Sequence, residues 1–189
     1  MRRRNLVRAF ALLPLLGIAP AHAADPTPAE VRASLRQMRK DTLEELYKLA
    51  PSARKAIRGS AGYAVFSQTG MHLLLVGGAG GRGVVRDNLT GKDTFMKMAA
   101  GGVGLGLGVK DTRLVFIFKK RDALKTFVDK GWQFGGETAA VAKAGESGGA
   151  AGEVEAAPGI VVYQLAQDGL MAQAVVQGTR YWKDEELND

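Results

Sequence analysis

Residues 101–109 read GGVGLGLGV, and no other stretch constrains the fold as tightly. Val103, Leu105, Leu107 and Val109 alternate with Gly104, Gly106 and Gly108. A period of two belongs to a β-strand, with apolar side chains on one side and bare backbone on the other. Glycine inside a strand is unfavourable by about 0.5–1 kcal/mol relative to alanine. Three in register therefore imply a compensating gain, through close approach of another layer or the sharp coiling of a small barrel. A flexible linker is the competing reading, but linkers favour Ser and polar residues over Val and Leu.

The first 23 residues have a basic start, an apolar middle over residues 12–18, and Ala21-His22-Ala23 as a small-x-small cleavage site. This is the pattern of a secretory signal peptide, too short and too broken by Pro14 and Pro20 to span a bilayer as a helix. Residues 3–8, RRNLVR, also approximate a twin-arginine export signal, so both export routes stay open. Cleavage removes four arginines and lowers the net charge from +7 to +3, which weakens the case for nucleic acid as a partner. With no cysteine there is neither a disulfide nor a thiol for a lipid anchor. Residues 24–189 then form one domain, expected to be periplasmic or secreted, at most peripheral on a membrane.

Within that domain a helical part, 27–58, precedes a β-rich core, 61–182. Thr27, Pro28 and Glu30 form the start signal of a helix with a capping box, and Pro51 ends it. Arg32, Arg36, Arg39 and Lys40 share one side of this helix, which reads either as a solvated face or as a contact for anionic lipid. A short basic turn of helix follows at 52–58. Strands are expected at 63–66, 73–76 running on to 84–85, 94–98, the glycine strand, and 114–118. Turns are expected at 67–70, 87–92 and 110–112. Residues 114–118 are apolar on both faces, as in a central strand covered twice. A short helix capped by Asp122 should turn Leu124, Phe127 and Val128 inward and end at Gly131. Residues 132–144 read as strand, 145–157 as an acidic, Gly-rich loop, and 160–165 with 170–176 as a hairpin around Gln167-Asp168-Gly169. The acidic tail carrying Asp184, Glu185, Glu186 and Asp189 reads as solvated. The fold class is α+β: N-terminal helices packed on a Gly-rich, strongly coiled antiparallel sheet or small barrel.

Catalytic motifs fail in context. Gly78-Ala79-Gly80-Gly81-Arg82-Gly83 matches G-x-G-x-x-G, but a dinucleotide site needs a helix next, and Val84-Val85-Arg86-Asp87-Asn88 is strand and turn. Gly145-Glu146-Ser147-Gly148-Gly149 matches G-x-S-x-G, yet beyond residue 23 the only histidine is His72, which precedes Ser147. That order rules out an α/β-hydrolase triad and leaves a serine hydrolase using Ser147 and His72 as a remote alternative. One histidine beyond residue 23 and no cysteine exclude the common zinc sets, and no calcium loop appears. No cofactor and no metal are expected. Lys119, Lys120 and Arg121, with Lys125 and Lys130, form the densest basic cluster. They read as a lipid-facing patch or as a solubilising strand end, and no aromatics are interleaved to stack nucleic-acid bases.

Residues 61–66 (AGYAVF), 77–84, 100–109 and 160–178, with Tyr163, Gly169-Leu170 and Gly178, resemble in order and spacing the SYLF domain family. The segments spread over most of residues 50–182. The chain departs from the family's common ending, an Asn followed by an aromatic pair, by running Tyr181-Trp182-Lys183-Asp184-Glu185. The resemblance implies a lipid-binding or adaptor module without catalysis. In eukaryotic relatives membrane and actin contacts involve the start of the domain, where the nearest positions here are Arg54, Lys55 and Arg58. An exported bacterial member meets no actin, so that activity is not carried over. Two functions follow as expectations: a non-catalytic module docking on anionic phospholipid, with its apolar interior open to an acyl chain, or an adaptor for an envelope protein partner without lipid binding.

Overall fold

The computed structural model describes residues 25–134, 154–166, 169–170 and 179–189 and, in its strands, the side chains outside 69–78, 101–110, 134 and 154. The expected leader, Ser147, and the hairpin arm at 171–176 lie outside the described residues; so do the side chain of His72 and the remainder of the 132–144 segment.

Helix α1 (Pro28–Leu49) begins with the expected capping box. The Thr27 backbone N–H and hydroxyl donate to Glu30 Oε2 at 2.8 and 2.7 Å, and the Glu30 N–H donates back to Thr27 Oγ1. Helix α2 (Ser52–Arg58) follows Pro51. Next come two 26-residue strands, β1 (Gly62–Asp87) and β2 (Asp93–Phe118), paired antiparallel along their length. Helix α3 (Arg121–Lys130) precedes β3 (Trp132–Phe134), β4 (Val154–Ala157), β5 (Ile160–Ala166), β6 (Gly169–Leu170), β7 (Thr179–Lys183) and α4 (Glu185–Asn188). The opposite edge of β2 takes β7 at residues 96–100 and β5 at residues 113–118. β3 extends the sheet beyond β7, while β4 and β6 pair with β5. The product is a strongly curled antiparallel sheet, a half-barrel, with helices packed on it.

The curl needs glycine where β1 folds over itself. A Cβ on Gly81 would stand 2.0 Å from the Ser67 carbonyl oxygen, and one on Gly83 would stand 2.3 Å from the Phe66 ring. At Gly62 the Arg86 carbonyl oxygen lies 2.4 Å from the same imagined carbon. Only a residue without a side chain permits such layering. Residues 101–109 are strand, as their alternation requires, paired from Val103 with Val76 to Val109 with Met71.

The turns expected at 67–70 and 110–112 are corrected: both stretches are strand, and they face each other. Ser67 pairs with Arg113, Gln68 with Thr112, and Thr69 with Asp111. Their polarity is cross-strand pairing rather than turn chemistry. The turn at 87–92 is present, with Gly91 at a φ of 68°. Residues 154–157, expected in a loop, form the edge strand β4.

Residues 114–118 are covered on both faces, as their composition requires. Leu114, Phe116 and Phe118 join Phe66, Phe127 and Tyr181 in one core, while Val115 and Ile117 face Leu46, Ala53 and Ile57 of the N-terminal helices. In the first core Phe66 meets Tyr181 edge-on at 4.8 Å and Phe118 meets Phe127 at 5.0 Å. Leu124 and Phe127 are buried, Val128 half-buried, and Gly131 ends α3 with a φ of 70°. Asp122 lies in the first turn of α3, with Lys120 at the cap.

Candidate functional site

The basic residues divide into those that hold the fold together and those that face water. Arg32, Arg36 and Arg39 of the helix stripe belong to the first group, which corrects the solvated reading for these three, while Lys40 is exposed. Arg36 Nε and Arg39 Nη1 donate to the Asp93 carboxylate at 2.9 and 2.7 Å, and Arg86 Nη1 joins them at 3.0 Å. Burial pushes the Asp93 carboxyl up, but these hydrogen bonds and the Arg39 charge outweigh it and leave the group below its ordinary value. Arg32 donates to the Leu187 carbonyl, so α1 is tied to α4 as well.

The tail reading is corrected in the same way for one residue. Asp184 is fully buried, 3.2 Å from Arg82 Nε and 3.0 Å from Lys97 Nζ. Glu185, Glu186 and Asp189 are exposed. The sequence misled here because β7 and α4 pull the tail back onto the sheet, where the Asn188 amide donates to the Phe95 carbonyl at 2.7 Å.

Of the candidate lipid contacts, Arg54, Lys55 and Arg58 are exposed on α2, because Ala53 and Ile57 turn the opposite side of that helix into the core. The Arg54 guanidinium also lies over the Tyr47 ring at 4.4 Å. Lys119 and Lys120 are exposed where β2 gives way to α3. Arg121 is differently placed: its two terminal nitrogens donate to Asp87 at 2.6 and 2.7 Å. This paired contact holds the Asp87 carboxyl well below the usual carboxylate range. Lys125 is exposed, on the wall of a cleft of about 610 Å³ that it shares with Lys92 and Lys183 but also with Asp93, Asp129 and Glu185. The mixed charge of that cleft favours no single sign of ligand.

The two clusters, far apart in sequence, meet at one end of the sheet. The Ala61 N–H donates to the Phe118 carbonyl, so the exit of α2 lies beside the exit of β2. Ala56, Gly59 and Ser60 share a recess of about 110 Å³ with Ile117, Lys119 and Val161. The β1–β2 turn reaches the same end. The Asn88 side-chain amide donates to the Ile57 and Ser60 carbonyls at 2.8 and 3.1 Å, and the Asn88 backbone N–H donates to the Ala61 carbonyl. Asp87 Oδ1 accepts from the N–H groups of Leu89 and Thr90, which fixes the next residues of the turn.

At the tip of that braced turn Leu89 is 80% exposed. Sequence reasoning missed it. The available signal was one large apolar residue inside Asp87-Asn88-Leu89-Thr90-Gly91-Lys92, a stretch otherwise made of turn formers.

Residues 99–189 match the model of the Ysc84 family, described as Las17-binding protein actin regulator. Over that matched stretch the chain is similar to a Ysc84-type SYLF domain. SYLF domains are modules of lipid-binding or actin-regulating type and are generally non-enzymatic. The chain is also similar to Beta cell expansion factor A of Aeromonas veronii, with 32% identity over 165 residues. That match covers 86% of this chain and 61% of the relative, so the chain spans less than two thirds of the relative's length. Among the described residues no group of three His, Cys, Asp or Glu side chains could hold a metal ion, and no helix is long and apolar enough to cross a membrane.

Proposed function

We propose that this protein is a non-catalytic, exported module that docks reversibly on anionic phospholipid through the end of the sheet where α2, the β1–β2 turn and the start of α3 meet. The observation that carries the proposal is that exposed Lys55, Arg58, Lys119, Lys120 and Leu89 all belong to segments that hydrogen-bond to one another at this end of the sheet. Each cation near an anionic surface contributes about 1 kcal/mol, and insertion of one leucine side chain about 1.5–3 kcal/mol. Those magnitudes suit weak, salt-sensitive association rather than permanent anchoring. Export is supported by the leader-like pattern of residues 1–23.

Co-sedimentation of the purified protein with vesicles tests this. Binding is expected on vesicles rich in phosphatidylglycerol, is weakened by added salt, and is lost in the double variant Lys119→Glu/Lys120→Glu. Leu89→Asp weakens it independently. Equal binding to neutral phosphatidylcholine vesicles, or no binding to either, overturns the proposal.

A further inference from the structure

The cleft of about 610 Å³ beside Lys125 carries both signs of charge on walls that the fold holds in place. The walls are α3, the end of the β1–β2 hairpin, and the tail that runs from β7 through α4. Lys183 Nζ meets Asp129 Oδ1 at 3.4 Å, which ties the tail to α3. Arg32 donates to the Leu187 carbonyl and ties the tail to α1. The Asn188 side chain accepts from the Phe95 N–H at 3.0 Å and donates to the Phe95 carbonyl at 2.7 Å, which ties the tail to β2.

Four charges on these walls have no counter-charge. Lys92, Lys125, Glu185 and Asp189 are exposed, and among the described residues none of them stands within ion-pair distance of an opposite charge. Lys92 belongs to the β1–β2 turn, Lys125 to α3 and the two acids to the tail, so separate elements keep them from closing on one another. A ligand of one sign would be attracted to two of these groups and repelled by the other two. An occupant with a charge of each sign at its two ends is attracted by all four.

The space between those charges suits a peptide. Val128 is half-buried and offers an apolar contact, with Val85 and Leu124 buried beside it. β7 pairs with β2 only from Met96 onward, so among the described residues no strand covers 93–95 on the cleft side. At Phe95 the Asn188 amide takes the place of a strand. The alternation of an antiparallel pair turns the Asp93 N–H and C=O to that same side, where among the described residues no group bonds to them.

We infer that this cleft binds a short zwitterionic peptide, its carboxylate toward Lys92 and Lys125, its ammonium toward Glu185 and Asp189, and an apolar side chain against Val128. The site does not depend on the membrane reading, since neither lipid nor vesicle enters the argument.

A titration of the purified protein with the tripeptide Ala-Leu-Ala, followed by amide chemical shifts, tests it. Saturable shifts are expected at Thr94, Val128 and Glu185. Acetylating the peptide's amine, or amidating its carboxylate, should each weaken binding about three- to fivefold, as for a partly hydrated ion pair. In Lys92→Gln/Lys125→Gln amidation should make no further difference while acetylation still does, and Glu185→Gln/Asp189→Asn should show the reverse. All four side chains are exposed, so both variants should keep the parent's melting profile. Absence of saturable shifts, or capped peptides that bind the parent as tightly as the free one, overturns the site. Glycerophosphoethanolamine, which carries both charges without a peptide backbone, should bind more weakly; binding as tight as the peptide's assigns the cleft to a lipid headgroup and overturns the inference.

Discussion

Gly80 and Gly81 are neighbours in β1, and alanine at the two positions should have opposite effects. An added carbon at Gly80 meets nothing within 4 Å. Relief of the glycine entropy penalty then makes Gly80→Ala neutral or stabilising by up to about 1 kcal/mol. An added carbon at Gly81 lies 2.0 Å from the Ser67 carbonyl oxygen, 3.0 Å from its carbon and 3.2 Å from Gln68 Cα. All three are backbone atoms, so no side-chain rotation clears them. Ordinary contact starts at 3.4 Å, so the two crossing parts of β1 must separate by more than an ångström. That separation loosens Phe66, a fully buried ring that packs on Phe116, Phe127 and Tyr181. Overpacking of this kind costs about 1–3 kcal/mol, and rigid backbone on both sides puts Gly81→Ala at about 3 kcal/mol before an offset of roughly 0.5 kcal/mol from chain entropy. With a urea dependence of about 2 kcal/mol per molar, the denaturation midpoint falls by roughly 1 M or slightly more. Paired urea titrations of the two variants, followed by circular dichroism, measure the difference. Midpoints that agree within about 0.2 M would refute the claim that β1 layers directly on its own backbone.

Three further perturbations probe the ion pairs and the turn. Asp93→Asn removes the carboxylate shared by three arginines, and urea titration should show a loss of about 2–4 kcal/mol, toward the low end because Arg36 and Arg86 remain partly hydrated. Asp87 and Asp93 both have native pKa values depressed below the ordinary 3.8, so their stabilisation is complete above that value and is lost as pH falls through the lower native values. The melting temperature should therefore hold at mildly acidic pH and fall below about pH 4, with a shallower fall in Asp87→Asn; identical pH profiles for parent and variant would contradict the assignment. Asn88→Ala leaves the Ile57 and Ser60 carbonyls without that donor, and should destabilise by about 1–2 kcal/mol and raise amide exchange at Leu89 and Thr90.

Local rules made several elements of this protein legible without coordinates. Thr27, Pro28 and Glu30 satisfy the first turn of α1 among themselves, and Gly131 ends α3 because its positive φ suits a residue without Cβ. The double covering of residues 114–118 followed from unbroken hydrophobicity, since a strand with one wet face must alternate. Even the glycine alternation identified its strand correctly, although the close approach that it foreshadowed is seen at Gly62, Gly81 and Gly83.

What the chain alone could not disclose was which polar and charged groups meet. Ser67, Gln68 and Thr69 looked like a turn because nothing local reveals that Arg113, Thr112 and Asp111 stand opposite them. Arg36 and Arg39 on α1 and the acid at Asp184 looked solvated for the same reason: their partners come from distant strands. Hydrophobic periodicity and caps are satisfied within a few residues, so sequence determines them. The pairing of charges, the layering of β1 on itself and the docking of the Leu89 turn on the end of α2 depend on contacts between distant segments, and only the tertiary structure decided them.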